Sequence, residues 1–448
     1  MPNGINGRVL RQDDPGYEAA RQAATWHAGT PRRFPAVIVE ASSPDDVVAA
    51  VRLARDEGLQ MAVRSGGHSW AGSHLRDGIL LLDISRLTEL SVDADAMSAT
   101  AQPGVQGSEL GAKLARQGLY FPVGHCQTVC IGGYLLQGGF PWRGRELGPS
   151  CMSVAGVEVV TAGGDLIYAD ATQNDDLFWA ARGAGPGFFG VVTCFHLRLY
   201  RLAPTTLNSF YLYPPGVWEE YFRWSRSIEP MLPAQIEVWN MMYRDEAASS
   251  DGPVISVSAT AFTDSEAEAR DALAVFETCP VRKQALTAEL NKPTTTTELT
   301  RVGSEVHYPA GMRFIADNMW THASFDELLP GLRDIQKGFP PEPSHLVWFP
   351  WTLTPQRPSM AYSNEDELYI ALYAAWKSEA DDETHRHWVT ERMRNMEHVA
   401  SGIQLADENL INRPQRFVAD DHLRRLDEIR AVYDPDRLFV SWLGRPEL

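Results

Sequence analysis

Two glycine-paired segments carry the side chains best suited to chemistry in this chain. The first is Arg64-Ser65-Gly66-Gly67-His68-Ser69-Trp70, which follows the apolar run Met61-Ala62-Val63 and precedes the strand-like run Ile79-Leu80-Leu81-Leu82-Asp83-Ile84. Adjacent glycines between strands permit positive φ and let bare backbone N–H groups converge on an anion such as a pyrophosphate. His68 stands directly after them. On its own, Gly-Gly-His also reads as a tight turn with a solvated histidine. The second segment begins Val123-Gly124-His125-Cys126-Gln127-Thr128-Val129-Cys130-Ile131-Gly132-Gly133 and continues to the pair Gly138-Gly139. A neutral imidazole and a thiolate are both nucleophiles able to bond a ligand.

Together the two stretches resemble the flavin-anchoring loops of the vanillyl-alcohol-oxidase superfamily, with its PCMH-type FAD-binding domain, and most closely its berberine-bridge-enzyme-like oxidases. In that family the histidine of R-S-G-G-H is bonded to the 8α carbon of FAD, and a cysteine in G-x-C-x-x-V-x-x-G-G is bonded to C6 of the same ring. The matching positions are His68 and Cys126, so the resemblance implies a bicovalent FAD. A third stretch, Asp175-Asp176-Leu177-Phe178-Trp179-Ala180-Ala181-Arg182-Gly183 leading into Gly185-Pro186-Gly187-Phe188-Phe189-Gly190-Val191-Val192-Thr193, is similar to the segment whose main chain lines the adenosine and ribityl parts.

The cofactor-binding residues implied by this resemblance fall in three groups. The histidine loop supplies Arg64, Ser65, Gly66, Gly67, His68 and Ser69. The cysteine loop supplies Gly124, Cys126, Val129, Gly132, Gly133 and Gly138, and the third stretch supplies Gly187, Gly190, Val191 and Val192. Gln127, Cys130 and Pro141 depart from the residues usual in the family, and Cys130 stays open as an alternative point of attachment. A small aliphatic residue at Val129 goes, in the family, with access of O2 to the flavin, which implies an oxidase rather than a dehydrogenase.

The catalytic base is not legible. Many relatives use a tyrosine from an N-Y-x-D motif, but the comparable stretch here, Gln404-Leu405-Ala406-Asp407-Glu408-Asn409-Leu410-Ile411-Asn412-Arg413-Pro414, has no tyrosine. Tyr362, Tyr369, Tyr373 and His345 lie on expected sheet strands that could turn them toward the flavin, and each also reads as ordinary core or surface.

These loops need rigid elements around them, and the chain supplies enough. At 448 residues it is long enough for two or three domains, and 44% hydrophobic with 22% charged residues is a globular composition. A formal net charge of −18, from 58 acids against 40 bases, disfavours a nucleic-acid partner and a polyanionic substrate. Five irregularly spaced cysteines argue against a disulfide framework, and no metal-ligand spacing accompanies Cys126 and Cys130. The opening residues lack the pattern of a secretory signal and no run reaches membrane-span length, so the expectation is a cytoplasmic protein without a membrane partner.

The expected fold is α+β. Ser43-Pro44-Asp45-Asp46 reads as an N-cap, a first-turn proline and early acids, opening a helix to Gly58 between two strands. Glycines placed after the second strand fit a two-lobed PCMH-type FAD-binding domain better than a Rossmann unit. The expected domains are 1–203 for FAD binding, with its core at about 31–203; 204–410 for substrate, with an antiparallel sheet covering the flavin; and 411–448 returning to the first. In the second, Trp239, Trp348, Trp351 and Trp376 are suited to stacking on a sugar or an aromatic ring. The expected function is an FAD-linked oxidase taking two electrons from an alcohol, sugar or secondary metabolite and reducing O2 to H2O2. An oxidative tailoring enzyme making a ring or double bond, a dehydrogenase using another acceptor, and a flavoprotein without turnover are the alternatives.

Overall fold

The computed structural model describes residues 4–353 and 357–445. Three sheets organise the chain, with a two-stranded ribbon of β7 (Leu119–Tyr120) and β11 (Tyr200–Arg201) beside them. The first is formed by β1 (Arg8–Arg11), β2 (Val37–Glu40), β3 (Met61–Arg64) and β4 (Leu80–Asp83) in the order β1-β2-β4-β3. Both β2 and β3 run parallel to β4. The crossover between β2 and β3 is the expected helix, Pro44–Asp56, whose N-cap Ser43 Oγ accepts from Asp46 N at 3.2 Å. The Asp46 carboxylate in turn accepts from the amides of Asn6, Gly7 and Ser42, which ties the start of the chain to this helix.

The second sheet takes β5 (Leu90–Asp93), β6 (Ser98–Ala101), β8 (Val154–Thr161), β9 (Leu166–Asp170) and β10 (Gly190–Arg198) in the order β5-β6-β10-β8-β9. A tight hairpin at Ala162-Gly163-Gly164-Asp165 joins β8 to β9. One core serves both sheets, and it takes in Leu426, Ile429, Phe439 and Trp442 from the end of the chain. The C-terminal helix, Asp420–Tyr433, is followed by a turn in which the Asp434 carboxylate accepts from the amides of Leu438 and Phe439. That turn delivers Leu438 and Val440 to the edge of β3, where both bond the main chain of Met61.

The third sheet is antiparallel and has seven strands: β12 (Thr205–Tyr213), β13 (Ile236–Tyr243), β14 (Val254–Thr263), β15 (Thr287–Pro293), β16 (Arg313–Thr321), β17 (His345–Pro350) and β18 (Leu368–Trp376). Their order is β15-β12-β14-β13-β17-β18-β16. Strand β18 is buried along its whole length. Side chains alternate across a strand, so each face of β18 must be covered separately. Leu368, Ile370, Leu372 and Trp376 pack under the helices Trp218–Ile228, Phe325–Gln336 and Asp382–Asn395. Tyr369 and Tyr373 join an aromatic layer on the other face with Trp320, Phe349 and Trp351. A buried ion pair between Arg413 and Asp317 at 2.5 Å fastens the chain after the sheet to β16.

Two expectations are corrected by this alternation. Trp348 and Trp376 lie on the helix-covered face and not with Trp239 and Trp351. Tyr362 is not on a strand: it sits in the segment before β18, packed with Met360 and Cys151. Among the described residues no helix is long and apolar enough to cross a membrane.

Candidate functional site

The histidine loop leaves β3 at Arg64, whose guanidinium bonds both carboxylate oxygens of Asp83 and the carbonyl of Ala23. Gly67 has φ +71°, and a Cβ there would lie 2.2 Å from the carbonyl oxygen of Ala24, so only glycine fits. From Ser65 to Ser69 the backbone N–H groups find no acceptor among the described residues. His68 stacks on Trp26 with ring centroids 4.9 Å apart, and its Nε2 lies 2.9 Å from Thr128 Oγ1. Burial, then repulsion from Arg64, pushes the His68 pKa down to about 3. The imidazole is therefore neutral, the state a nucleophile requires.

Thr128 belongs to the cysteine loop, so the two segments singled out in the sequence meet. That loop is braced on both sides. His125 Nε2 lies 2.8 Å from Glu237 on β13, while the other oxygen of Glu237 accepts from Arg143 N. Gln127 N donates to Ser304 Oγ and Gly107 N to the Val129 carbonyl. Cys126 is half-buried and sits beside Ser304 and Tyr308. Burial raises its thiol pKa, and hydrogen bonds from Ser304 and Thr128 oppose that rise. Cys130 is buried, and desolvation pushes its thiol up to about 11.

A cleft runs along the histidine loop. Arg64, Ser65, Gly66, Gly67, His68 and Ser69 form one stretch of its wall. Val129, Gly132, Gly133, Gly190 and Val192 form another, and Leu405, Ala406, Glu408, Phe439 and Val440 close it from the C-terminal side. Five residues of the expected set stand off this wall. Gly124 packs against the Tyr134 ring, Gly138 against Tyr362 and Gly187 against Trp442, each too close for a Cβ to be added without a shift. Val191 is fully buried in the core, and Cys126 faces Ser304 and Tyr308. Cys130, in contrast, borders the cleft.

A dinucleotide cofactor fits the groups present. The free amides of the histidine loop suit a pyrophosphate. A Cβ on Gly133 would meet nothing within 4 Å, so this wall leaves room for a ligand. Arg64 Nε and Glu408 Oε1 are buried at the cleft without a partner among the described residues. Buried polar atoms of this kind call for a partner from outside the chain.

Beside the histidine loop lies a cluster that the sequence did not disclose. Asp407 is half-buried, and its carboxylate accepts three hydrogen bonds. Trp70 Nε1 donates to Oδ1 at 2.6 Å and Tyr373 OH to Oδ2 at 3.0 Å, and Tyr369 OH makes the shortest contact, also to Oδ2. Burial raises the pKa of Asp407, against the pull of these donors. His345, the fourth residue weighed in the sequence, stacks on Tyr373 at 4.5 Å. The sequence singled out Tyr369 and Tyr373 but not Asp407, which lies more than 30 residues beyond their strand.

A glycine-lined cleft on a two-sheet lobe, with an aromatic antiparallel sheet beside it, fits a flavin-binding oxidoreductase of the PCMH type. Residues 35–170 match the FAD binding domain family. The FAD-linked oxidoreductase nodO of Hypoxylon pulicicidum is 31% identical over 431 residues, which cover 94% of this chain and 93% of that protein. The crystal structure of 6-hydroxy-D-nicotine oxidase from Arthrobacter nicotinovorans is similar with a TM-score of 0.86 at 24% identity, over 100% of this chain and 99% of that one. The BBE-like 1 protein of Physcomitrella patens gives 0.83 at 20%, over 99% and 98%. The chain belongs to the FAD-linked oxidoreductases.

Proposed function

We propose that the protein is an FAD-dependent oxidase that takes two electrons from a small organic molecule, an alcohol, sugar or secondary metabolite, and passes them to O2 to give H2O2. FAD supplies the two-electron acceptor. The observation that carries the reading is the hydrogen-bonded group of Asp407, Tyr369 and Tyr373, held against Trp70 of the cofactor loop. Substrate oxidation at a flavin releases a proton as well as electrons, and a half-buried carboxylate of raised pKa is a suitable acceptor. Tyr369, donating to Asp407, relays the proton: it accepts one from the substrate hydroxyl or amine and hands its own to the carboxylate.

The amides of Ser65 to Ser69, with Gly132, Gly133 and Gly190 opposite, hold the cofactor, and Arg64 offers it a buried N–H. His68 and Cys126 are the points of covalent attachment. His68 is already neutral; Cys126 has to lose its proton, which Ser304 and Thr128 favour by hydrogen bonding to the sulfur. Val129 borders the cleft with only a short aliphatic side chain, leaving space for O2. Arthrobacter 6-hydroxy-D-nicotine oxidase, so similar in fold, is itself an oxidase.

The test is a peroxide assay across alcohols, sugars and aromatic secondary metabolites. Peroxide released in proportion to substrate consumed supports the reading. Reduction of an artificial dye with no peroxide from any substrate makes the protein a dehydrogenase instead.

A further inference from the structure

The outer face of the five-stranded sheet carries a cluster that takes no part in the flavin site. Glu158 lies on β8, and Cys194 and His196 lie on β10. Val192 pairs with Val159 and Cys194 with Glu158, so Thr193 is an extra residue, a β-bulge. Without it, Cys194 would share a face with Val192. With it, Val192 stays inside with Val159, while Cys194 and His196 emerge beside Glu158 on the outer face.

The three donor atoms, one carboxylate oxygen, one sulfur and one imidazole nitrogen, all lie within 4.8 Å of one another. His196 Nε2 and Glu158 Oε1 are 3.3 Å apart. Around a tetrahedral zinc ion with bonds of about 2.0–2.1 Å, a nitrogen and an oxygen ligand are separated by about 3.3 Å. The imidazole is held in place across β8, because the ring of Tyr168 on β9 meets it edge-on at 5.1 Å. Gly156, opposite His196 in the register, makes that possible: a Cβ there would lie 2.3 Å from the Tyr168 hydroxyl.

We propose that Glu158, Cys194 and His196 form a binding site for a zinc-like divalent cation, with water as the fourth ligand. Imidazole with thiolate selects zinc over magnesium or calcium, which prefer all-oxygen ligands. Binding forms a metal–sulfur bond and releases the Cys194 thiol proton to solvent; no electrons move. The ion links β8 to the bulged strand whose Gly190 and Val192 border the cofactor cleft. It therefore braces the bulge, and its effect reads out as stability of the flavin-binding lobe.

Flavin-loaded protein, stripped with a chelator, is titrated with zinc chloride by calorimetry. The wild type is expected to take up one ion at micromolar or tighter affinity and to unfold at a higher temperature with zinc present. Cys194→Ser and His196→Ala are each expected to weaken binding at least tenfold, with the flavin spectrum of the bound cofactor unchanged as proof of folding. Zinc is also expected to slow alkylation of the Cys194 peptide by iodoacetamide, followed by mass spectrometry, which tests the wild type alone. No uptake, equal uptake by the variants, or unprotected Cys194 overturns the proposal.

Discussion

The imidazole of His68 meets the hydroxyl of Thr128 at 2.9 Å, although 60 residues separate them. Thr128 is two residues past Cys126, so one hydrogen bond joins the two loops proposed to attach the cofactor. A single ring held from both loops is compatible with this approach, and the attachment can be tested directly. After acid denaturation all flavin is expected to stay with the wild-type polypeptide as one added FAD by mass. His68→Ala and Cys126→Ala are each expected to retain it through the remaining bond, and the double variant to release it. Free flavin from the denatured wild type ends the covalent proposal. Flavin kept by the double variant moves the second bond to Cys130, which borders the cleft.

Asp407→Asn keeps the shape of the three-donor cluster and removes its charge. If Asp407 collects the substrate proton, the anaerobic rate of flavin reduction is expected to fall by about 10²–10⁴-fold, the usual range for loss of a general base. Burial raises the Asp407 pKa, and only the carboxylate accepts a proton. Activity of the wild type is therefore lost as pH falls, at a higher pH than for an ordinary carboxylate, and the variant lacks that acid limb. A variant reduced at the wild-type rate with the same pH profile removes Asp407 from the reaction.

The sequence was most legible where the signal was local. The Ser43 cap needs only its own helix, and the glycine loops announce their backbone geometry in their own residues. Strands β13, β14, β17 and β18 were readable from apolar and aromatic runs. Strand β15 is hard to read from sequence because Thr287–Pro293 is largely exposed at the sheet edge and carries no alternating apolar face. The Asp407 cluster and the Glu158, Cys194 and His196 group escaped for another reason. The first brings Trp70 and Asp407, both outside the sheet, to two tyrosines of β18, and the second depends on strand register and on one extra residue at Thr193. Neither register nor a bulge is written in the type or spacing of the residues it brings together.

Val129 gives a prediction that separates the two half-reactions. Replacing it by phenylalanine fills the space left beside the cleft wall without touching the Asp407 cluster. Reoxidation of the reduced flavin by O2 is expected to slow at least tenfold, while anaerobic reduction by substrate changes less than threefold. Stopped-flow absorbance at the flavin band measures both. Equal slowing of the two means that Val129 shapes the site in general and does not govern oxygen access.

Glu408 makes stability depend on pH in a direction opposite to that of a salt-bridged acid. It is 4% exposed, one oxygen accepts from Leu410 N, and the other has no partner among the described residues. Burial pushes its pKa up from 4.5 to about 7. Between those values the folded protein holds a proton that the unfolded chain gives up, so this contribution is fully present at low pH and is lost as pH rises toward 7. The change amounts to about 3 kcal/mol, an upper figure if a cofactor hydroxyl donates to the free oxygen. Glu408→Gln stays neutral throughout. Its melting temperature relative to the wild type is therefore expected to rise between pH 5 and pH 8, by several degrees in flavin-free protein and by less when the cofactor is bound. A difference that stays constant over that range shows that Glu408 is ionised in the folded protein at both pH values, and that its second oxygen has found a donor.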